Sequence, residues 1–334
     1  MKTLITGGAG FIGSHATAAL LSRGDQVVCL DNFNDYYSPQ RKRKNVAEFL
    51  GSAGYSLYEG DVRDRERLEE VFAQEKPDKV IHIAAMAGVR PSIERPLLYE
   101  EVNVKGTLNM LEAARRHRVT NFLFASSSSV YGGQEKVPFS EDDPIARPIS
   151  PYAATKAAGE LLCYTYHHLY GLNVTCLRFF TVYGPKGRPD MAPYLFTKWV
   201  FEGAELTMFG DGTTSRDYTY IDDIVSGLVA ALDANLSYEI INLGNSQTVA
   251  LRDFIALVEE LVGKKAHIVP LPMQPGDVPR TCADISKARR LLGYDPQTPI
   301  EEGMKHFVAW YRREVLGEQA DSHPHSKPKR REPK

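Results

Sequence analysis

The chain has 334 residues, 43% apolar and 25% charged, with a formal net charge of −2. Such a chain is long for one domain, short for three, and able to bury a large core without staples. The near-neutral charge offers no global attraction to nucleic acid or an anionic membrane, and no apolar run approaches the ~18 residues of a membrane helix. Cys29, Cys163, Cys176 and Cys282 stand far apart without metal-ligand spacing. Reduced thiols, no metal site and a cytoplasmic location are expected. Met1 to Thr6 run straight into a glycine motif, so no signal peptide is expected.

In chain order, "KTLITG" is predicted as the first strand, followed by a helix from Phe11 to Arg23 that Gly24 stops. "QVVCLD" is the next strand. "YSLYEGD" and "KVIHIAA" follow, separated by a charged helix from Arg65 to Gln74. A long helix is predicted from about Leu97 to His117, and then the strand "NFLFASS". These strands are continuous apolar runs, the pattern of a parallel sheet covered on both faces. Their alternation with helices predicts an α/β fold with a Rossmann-type doubly wound parallel sheet.

After "VTCLRFF" (174–180) the rhythm breaks into the Pro- and Gly-rich loop "VYGPKGRPDMAP". Beyond it come "ELTMFG", "YTYIDDI" leading into a helix, "EIINLG", a helix from Arg252 to Leu261, and a last helix from about Glu301 to Arg313. The predicted organisation is a first domain over 1–180 with a return near 215–245. A smaller, interleaved α/β domain covers mainly 181–316. The segment 317–334, with almost no apolar residue, is expected to be a disordered tail.

"TGGAGFIG" (6–13) follows the first strand and opens a helix. Gly7, Gly10 and Gly13 fit GxxGxxG, while Gly8, Gly10 and Gly13 fit GxGxxG. In a strand–turn–helix setting, glycines permit close backbone approach and the helix N-terminus faces a pyrophosphate. Asp31 ends the second strand, eighteen residues after Gly13. A carboxylate there accepts both ribose hydroxyls and repels a 2′-phosphate, which selects NAD over NADP. The "RKRK" run at 41–44 is expected to be a solvated charged face. Asp61 would either hydrogen-bond the adenine or cap its strand.

"PYAATKAAGE" places Tyr152 and Lys156 at i and i+4, on one side of a helix. A free tyrosine, with a pKa of about 10, is a poor base at neutral pH. A lysine ammonium one turn away, together with a positive nicotinamide ring, favours the phenolate, which then takes a proton from an alcohol while NAD takes the hydride. The run "SSSS" (126–129) supplies a hydroxyl to orient the substrate oxygen.

Taken together, "TGGAGFIG", Asp31, "GDV" (60–62), "HIAA" (82–85), Asn103, "SSSSVYG", "YAATK" and "RFFTVYGP" resemble the extended short-chain dehydrogenases/reductases over essentially residues 1–316. Within them the chain most resembles the nucleotide-sugar 4-epimerases. That resemblance implies a catalytic set of Ser127, Tyr152 and Lys156, and an Asn103 that steadies the active-site helix. It extends the NAD contacts to Phe11, Ile12, Asn32, Val62, Ala84, Ala85 and Met86. It gives Phe209, Arg216 and Asp277 to the UDP moiety, and it implies a homodimer paired through the 97–117 and 152–170 helices. A guanidinium at 216 suits a pyrophosphate; the alternative is an ion pair with Asp217 or Asp222.

Family members share oxidation of the sugar C4 hydroxyl and differ in the fate of the ketone. Dehydratases of the family place an Asp-Glu pair at the positions of Ser128 and Ser129, and UDP-glucuronate decarboxylases place a Glu at that of Ser129. Hydroxyls alone imply 4-epimerisation. "NFNDYYSPQRKRKNV", "AGVRPS" and "FFTVYGPKGRPDMAPYLF" are similar to the UDP-glucuronate 4-epimerases. By that similarity Thr181 and Arg188 bind the C6 carboxylate with Ser128 and Ser129, and Arg90 is a second candidate. The alternative for Arg188 is a loop pair with Asp190. Rival readings are a UDP-glucose or UDP-N-acetylhexosamine 4-epimerase, a UDP-glucuronate decarboxylase, and a non-catalytic NAD-binding regulator. The last predicts a broken Ser/Tyr/Lys set, and here it is intact.

Overall fold

Six apolar runs form parallel strands in the computed structural model of the chain, which describes residues 1–273 and 276–318. They are β1 (Lys2–Thr6), β2 (Gln26–Asp31), β3 (Tyr55–Glu59), β4 (Lys79–His82), β5 (Asn121–Ser127) and β6 (Val174–Phe179). A seventh strand, Tyr238–Leu243, pairs with β6 and sets Asn242 opposite Arg178. The order runs Tyr238–Leu243, β6, β5, β4, β1, β2, β3, every pair parallel. β4, β5 and β6 are buried along their whole length, as a parallel sheet covered on both faces requires. The expected doubly wound sheet is present. Its strand order reverses between β1 and β4, where the carboxyl ends open a crevice that favours ligands.

The glycine turn joins β1 to helix α1 (Phe11–Ser22). Gly7 adopts φ +69°, and a Cβ there would lie 2.9 Å from the Ala84 nitrogen. A Cβ at Gly13 would lie 2.3 Å from the Gly7 carbonyl oxygen. Only glycine lets α1 pack this closely on its own turn.

The long helix predicted over 97–117 is three pieces: Pro96–Tyr99, a π-helical stretch Glu100–Lys105, and Gly106–Arg116. One wide turn shifts the apolar stripe by a single residue, too little to break the helical pattern in the sequence. The last helix likewise ends at Tyr311 and widens over Arg312–Leu316. The tail expected from residue 317 lies outside the described residues beyond Glu318.

The basic run is a solvated face only in part, at Arg43 and Lys44. It forms the helix Pro39–Val46. Lys42 is buried, and its ammonium donates to the Asn34 carbonyl and Oδ1, both at 2.8 Å. Arg41 lies over the Tyr194 ring, Arg43 pairs with Glu59, and Lys44 pairs with Glu314. Local charge hid the contacts of Arg41 and Lys44 because their partners are remote in the chain.

The second half adds short two-stranded sheets, of which Glu205–Phe209 with His267–Leu271 is the longest. Helices Ala192–Glu202, Leu251–Val262 and Ile300–Tyr311 surround an aromatic core, where Tyr218 stacks on Phe254 at 4.6 Å. Behind β5 and β6 sits a buried ion pair. Arg178 donates to Glu160 through Nε (2.9 Å) and Nη2 (2.8 Å), and both side chains are 2% exposed. Ser126 donates to the same carboxylate at 2.5 Å. Replacing Arg178 by Met strands a buried carboxylate, and a loss of about 3–5 kcal/mol is expected in urea unfolding. Adding Glu160→Leu should recover part of it.

Candidate functional site

The carboxyl ends of the strands open on a cleft of about 710 Å³. At its floor, α1 begins without a side-chain cap, so its first amides are available to a ligand. Gly7, Gly10, Phe11 and Ile12 line this part. Gly13 does not; it serves the packing of α1 on the turn. Asp31 lines the cleft and is held by amides, with Ala9 donating to Oδ2 at 3.1 Å and Phe33 to Oδ1 at 2.9 Å. Burial pushes its pKa up, against those hydrogen bonds and Lys42. Two amide bonds leave the carboxylate acceptor capacity for a ribose diol. Uncapped amides, a glycine cradle that a Cβ would fill and an acidic strand end fit NAD.

Asn32, Val62, Ala84 and Ala85 also line the cleft, while Asp61 and Met86 do not. Asp61 behaves as a cap: Arg63 donates to it from its amide (2.8 Å), Nε (3.0 Å) and Nη2 (2.8 Å), and Asn32 donates at 2.9 Å. Burial would raise its pKa, but these bonds hold it down at about 2. Asp61 thus acts on the cleft through Asn32. Met86 is buried and contributes its backbone, to Asn103.

Asn103 sits in the π turn and joins three segments. Its Oδ1 accepts from the Met86 amide (2.7 Å), and its Nδ2 donates to the Met86 carbonyl (2.9 Å) and Thr155 Oγ1 (3.1 Å). Thr155 lies between Tyr152 and Lys156 on the helix Pro151–Tyr170. The expected steadying of that helix has a direct geometry. A second chain runs behind it. Thr107 spends its proton on the Asn103 carbonyl (2.6 Å), so it accepts from His82 Nε2 (3.0 Å). Nδ1 of His82 then accepts from Thr6 (2.7 Å), which makes His82 a neutral tether between β1 and the π turn.

Ser127, Tyr152 and Lys156 converge at the centre. Burial pushes Tyr152 up, and the neighbouring Ser127 hydroxyl and the charge of Arg188 oppose it. Burial pushes Lys156 down to about 8, and its ammonium donates to the Ala125 carbonyl at 2.6 Å. The expected depression of Tyr152 by Lys156 is therefore not found: the ammonium is turned to the β5 backbone, 6.0 Å from the phenol ring centre. Ser127 Oγ accepts from the Ser129 amide at 3.1 Å and donates to Ser129 Oγ at 3.2 Å. Ser128 starts a short 3-10 turn and lines the cleft.

Beyond the phenol the cleft holds two cationic groups. Thr181 and Arg188 line the wall near Tyr152. Arg188 is paired with Asp190, the loop pair that the sequence offered as the alternative. Arg216, Asp277, Phe209 and Arg90 form the other group. Both arginines lie 3.7 Å from the Asp277 carboxylate, and Arg90 stacks over Phe209 at 4.6 Å. Arg90 is thus placed with the UDP candidates rather than beside Arg188. Neither Asp217 nor Asp222 pairs with Arg216, which donates instead to the Ser215 carbonyl at 2.9 Å. Tyr36 and Tyr37 line the cleft and were not singled out. Their one local signal was the "DYYSP" stretch, whose contacts are non-local.

His82 makes a test of this scaffold. Burial, with the nearby Lys156 charge, lowers its pKa from 6.5 to about 3. Between those values the unfolded state binds the extra proton, so stability falls as pH falls, by up to about 1.4 kcal/mol per unit. Urea melts at pH 7 and pH 5 should show about 2 kcal/mol less acid loss in His82→Gln than in wild type.

Residues 4–307 match the family model described as GDP-mannose 4,6 dehydratase. UDP-glucuronate 4-epimerase of Thermodesulfobacterium geofontis is 46% identical over 313 residues, covering 93% of this chain and 96% of that protein. UDP-glucuronic acid 4-epimerase from Bacillus cereus, solved with UDP-glucuronic acid and NAD, is similar at a TM-score of 0.89 and 38% identity, covering 94% of this chain and 99% of that one. UDP-glucose 4-epimerase of Thermus thermophilus, solved with NAD, is similar at a TM-score of 0.86 and 36% identity, covering 94% and 100%. The chain belongs to the GDP-mannose 4,6 dehydratase family, among the nucleotide-sugar enzymes of the extended short-chain dehydrogenase/reductase type.

Proposed function

We propose that the protein is an NAD-dependent UDP-glucuronate 4-epimerase, interconverting UDP-glucuronate and UDP-galacturonate. The observation that carries this reading is the Arg188 guanidinium in the same cleft as Tyr152, close enough to stabilise its phenolate. A neutral hexose needs no cation there, and a uronate does. Residues 128 and 129 are serines despite the dehydratase name of the family model, so those two positions offer no acid to eliminate water.

In this reading Tyr152 takes the proton of the C4 hydroxyl, and Ser127 orients that oxygen. The charge of Arg188, with Lys156 one helix turn away, keeps the base in a positive field. NAD supplies the hydride acceptor and returns the hydride after the keto sugar has turned over. Thr181, Arg188, Ser128 and Ser129 hold the C6 carboxylate, while Phe209, Arg216 and Asp277 hold the UDP portion, joined by Arg90. Residues 1–180, with the return near 215–245, carry the cofactor, and 181–316 carry most of the nucleotide-sugar contacts. A cytoplasmic location is supported by four free cysteines. No described helix is long and apolar enough to cross a membrane.

We also propose a homodimer. Leu97 is 78% exposed and Leu161 67%, and Leu108 and Tyr164 are exposed on the same pair of neighbouring helical segments. An apolar face of this kind on an enzyme surface suits a second copy. Leu161→Glu should shift sedimentation from dimer to monomer.

Proton NMR of UDP-glucuronate with the purified protein and no added NAD tests the activity. Formation of UDP-galacturonate is expected; turnover of UDP-glucose alone would overturn the assignment. Tyr152→Phe should lower kcat by about 10²–10⁴-fold. Arg188→Ala should raise KM for UDP-glucuronate by about 10–100-fold and leave KM for UDP-glucose unchanged.

A further inference from the structure

Asp190 lies two residues beyond Arg188, in the loop between the strand Thr181–Tyr183 and the helix Ala192–Glu202. Its carboxylate grips the guanidinium side-on, with Nε donating to Oδ1 at 3.0 Å and Nη2 to Oδ2 at 2.5 Å. Tyr36, from the loop after β2, donates its hydroxyl to the same Oδ2 at 3.0 Å. The Tyr36 ring also lies 5.5 Å from the guanidinium carbon. Tyr36 and Asp190 both line the cleft.

A guanidinium has two edges that bind a carboxylate with two parallel bonds, Nε with Nη2 and Nη1 with Nη2. Asp190 takes the first edge. Among the described residues no acceptor meets Nη1, so the second edge remains for a ligand. A long side chain on a Pro- and Gly-rich loop has many rotamers, and the Asp190–Tyr36 contact selects one. Asp190 also offsets part of the charge of Arg188. Recognition there rests on the direction of the fork rather than on a strong net field.

We propose that Asp190 and Tyr36 are positioning residues that set the angle of Arg188, and through it keep the C6 carboxylate of the 4-keto sugar from leaving. This rests on the carboxylate-binding reading of Arg188 given above. The 4-keto-uronate is a β-keto acid. If the C5–C6 bond turns perpendicular to the ketone plane, it breaks; its electron pair passes into the C4–C5 enolate and carbon dioxide departs. The enolate then takes a proton from water at C5, giving a UDP-4-keto-pentose, and the hydride removed from C4 stays on the reduced cofactor. A correctly angled fork holds the C5–C6 bond near the plane, where that overlap is lost.

The test uses the full-length holoenzyme and UDP-glucuronate labelled in the carboxyl carbon. It measures the ratio of released carbon dioxide to UDP-galacturonate, with KM. Asp190→Asn should raise that ratio about tenfold while KM does not rise, because the cation is less neutralised but more mobile. Tyr36→Phe should raise it about threefold, and it decides the matter if Asp190→Asn fails to fold by circular dichroism. A merely structural role would lower the amount of active enzyme and leave the ratio unchanged. An unchanged ratio in the folded variants overturns the proposal, as does a folded Asp190→Asn that is inactive without releasing carbon dioxide. Those results leave the wild-type epimerase reading intact. A wild type that does not convert UDP-glucuronate sinks both.

Discussion

The side chain of Asn103 is the constraint on which the active site hangs. One amide group meets the backbone after β4 on one side and Thr155 on the other. Thr155 shares its helix turn with Tyr152 and Lys156. The position of the phenol over the carboxyl ends of the strands therefore depends on three hydrogen bonds made inside a buried π turn. The neutral His82 extends this tie to Thr6, at the start of the glycine turn. Cofactor cradle and base belong to one polar network, and burial makes each unmade bond in it costly.

The same burial sets the chemistry. It works against ionising Tyr152 and against charging Lys156, so the site at rest holds its base in reserve. Ser127 and the charge of Arg188 act in the other direction. Alternation along β5 sorts the serines. Ser127 turns to Tyr152, while Ser126 turns away to the Glu160–Arg178 pair. A carboxylate thus lies close to the serine run in space, but on the far side of the strand and locked to an arginine. On the cleft side, positions 127 to 129 present only hydroxyls. That arrangement suits a ketone that turns over rather than one that eliminates.

Much of this was readable beforehand. The strand–glycine–helix opening, Asp31 and the Tyr152–Lys156 spacing are local patterns, and each has one dominant physical meaning. The contacts of Arg41 and Lys44 and the grip of Asp190 on Tyr36 were not readable, because they join segments far apart in sequence. Asp61 and Arg63 are neighbours, yet their pairing competed with an equally reasonable ligand role. The π turn escaped notice because its one-residue shift leaves the hydrophobic period almost intact.

Apolar runs and glycines by themselves determined a parallel doubly wound sheet with a dinucleotide cradle, since burial on both faces and close backbone approach admit few residue types. The i, i+4 spacing likewise determined that Tyr152 and Lys156 share a helix face. Only the tertiary structure decided where those side chains point, that Lys156 faces the Ala125 carbonyl, and that Arg90 joins Arg216 rather than Arg188. Side-chain direction is set by partners brought in from remote strands and loops, and their distances exist only once the sheet has closed over its core.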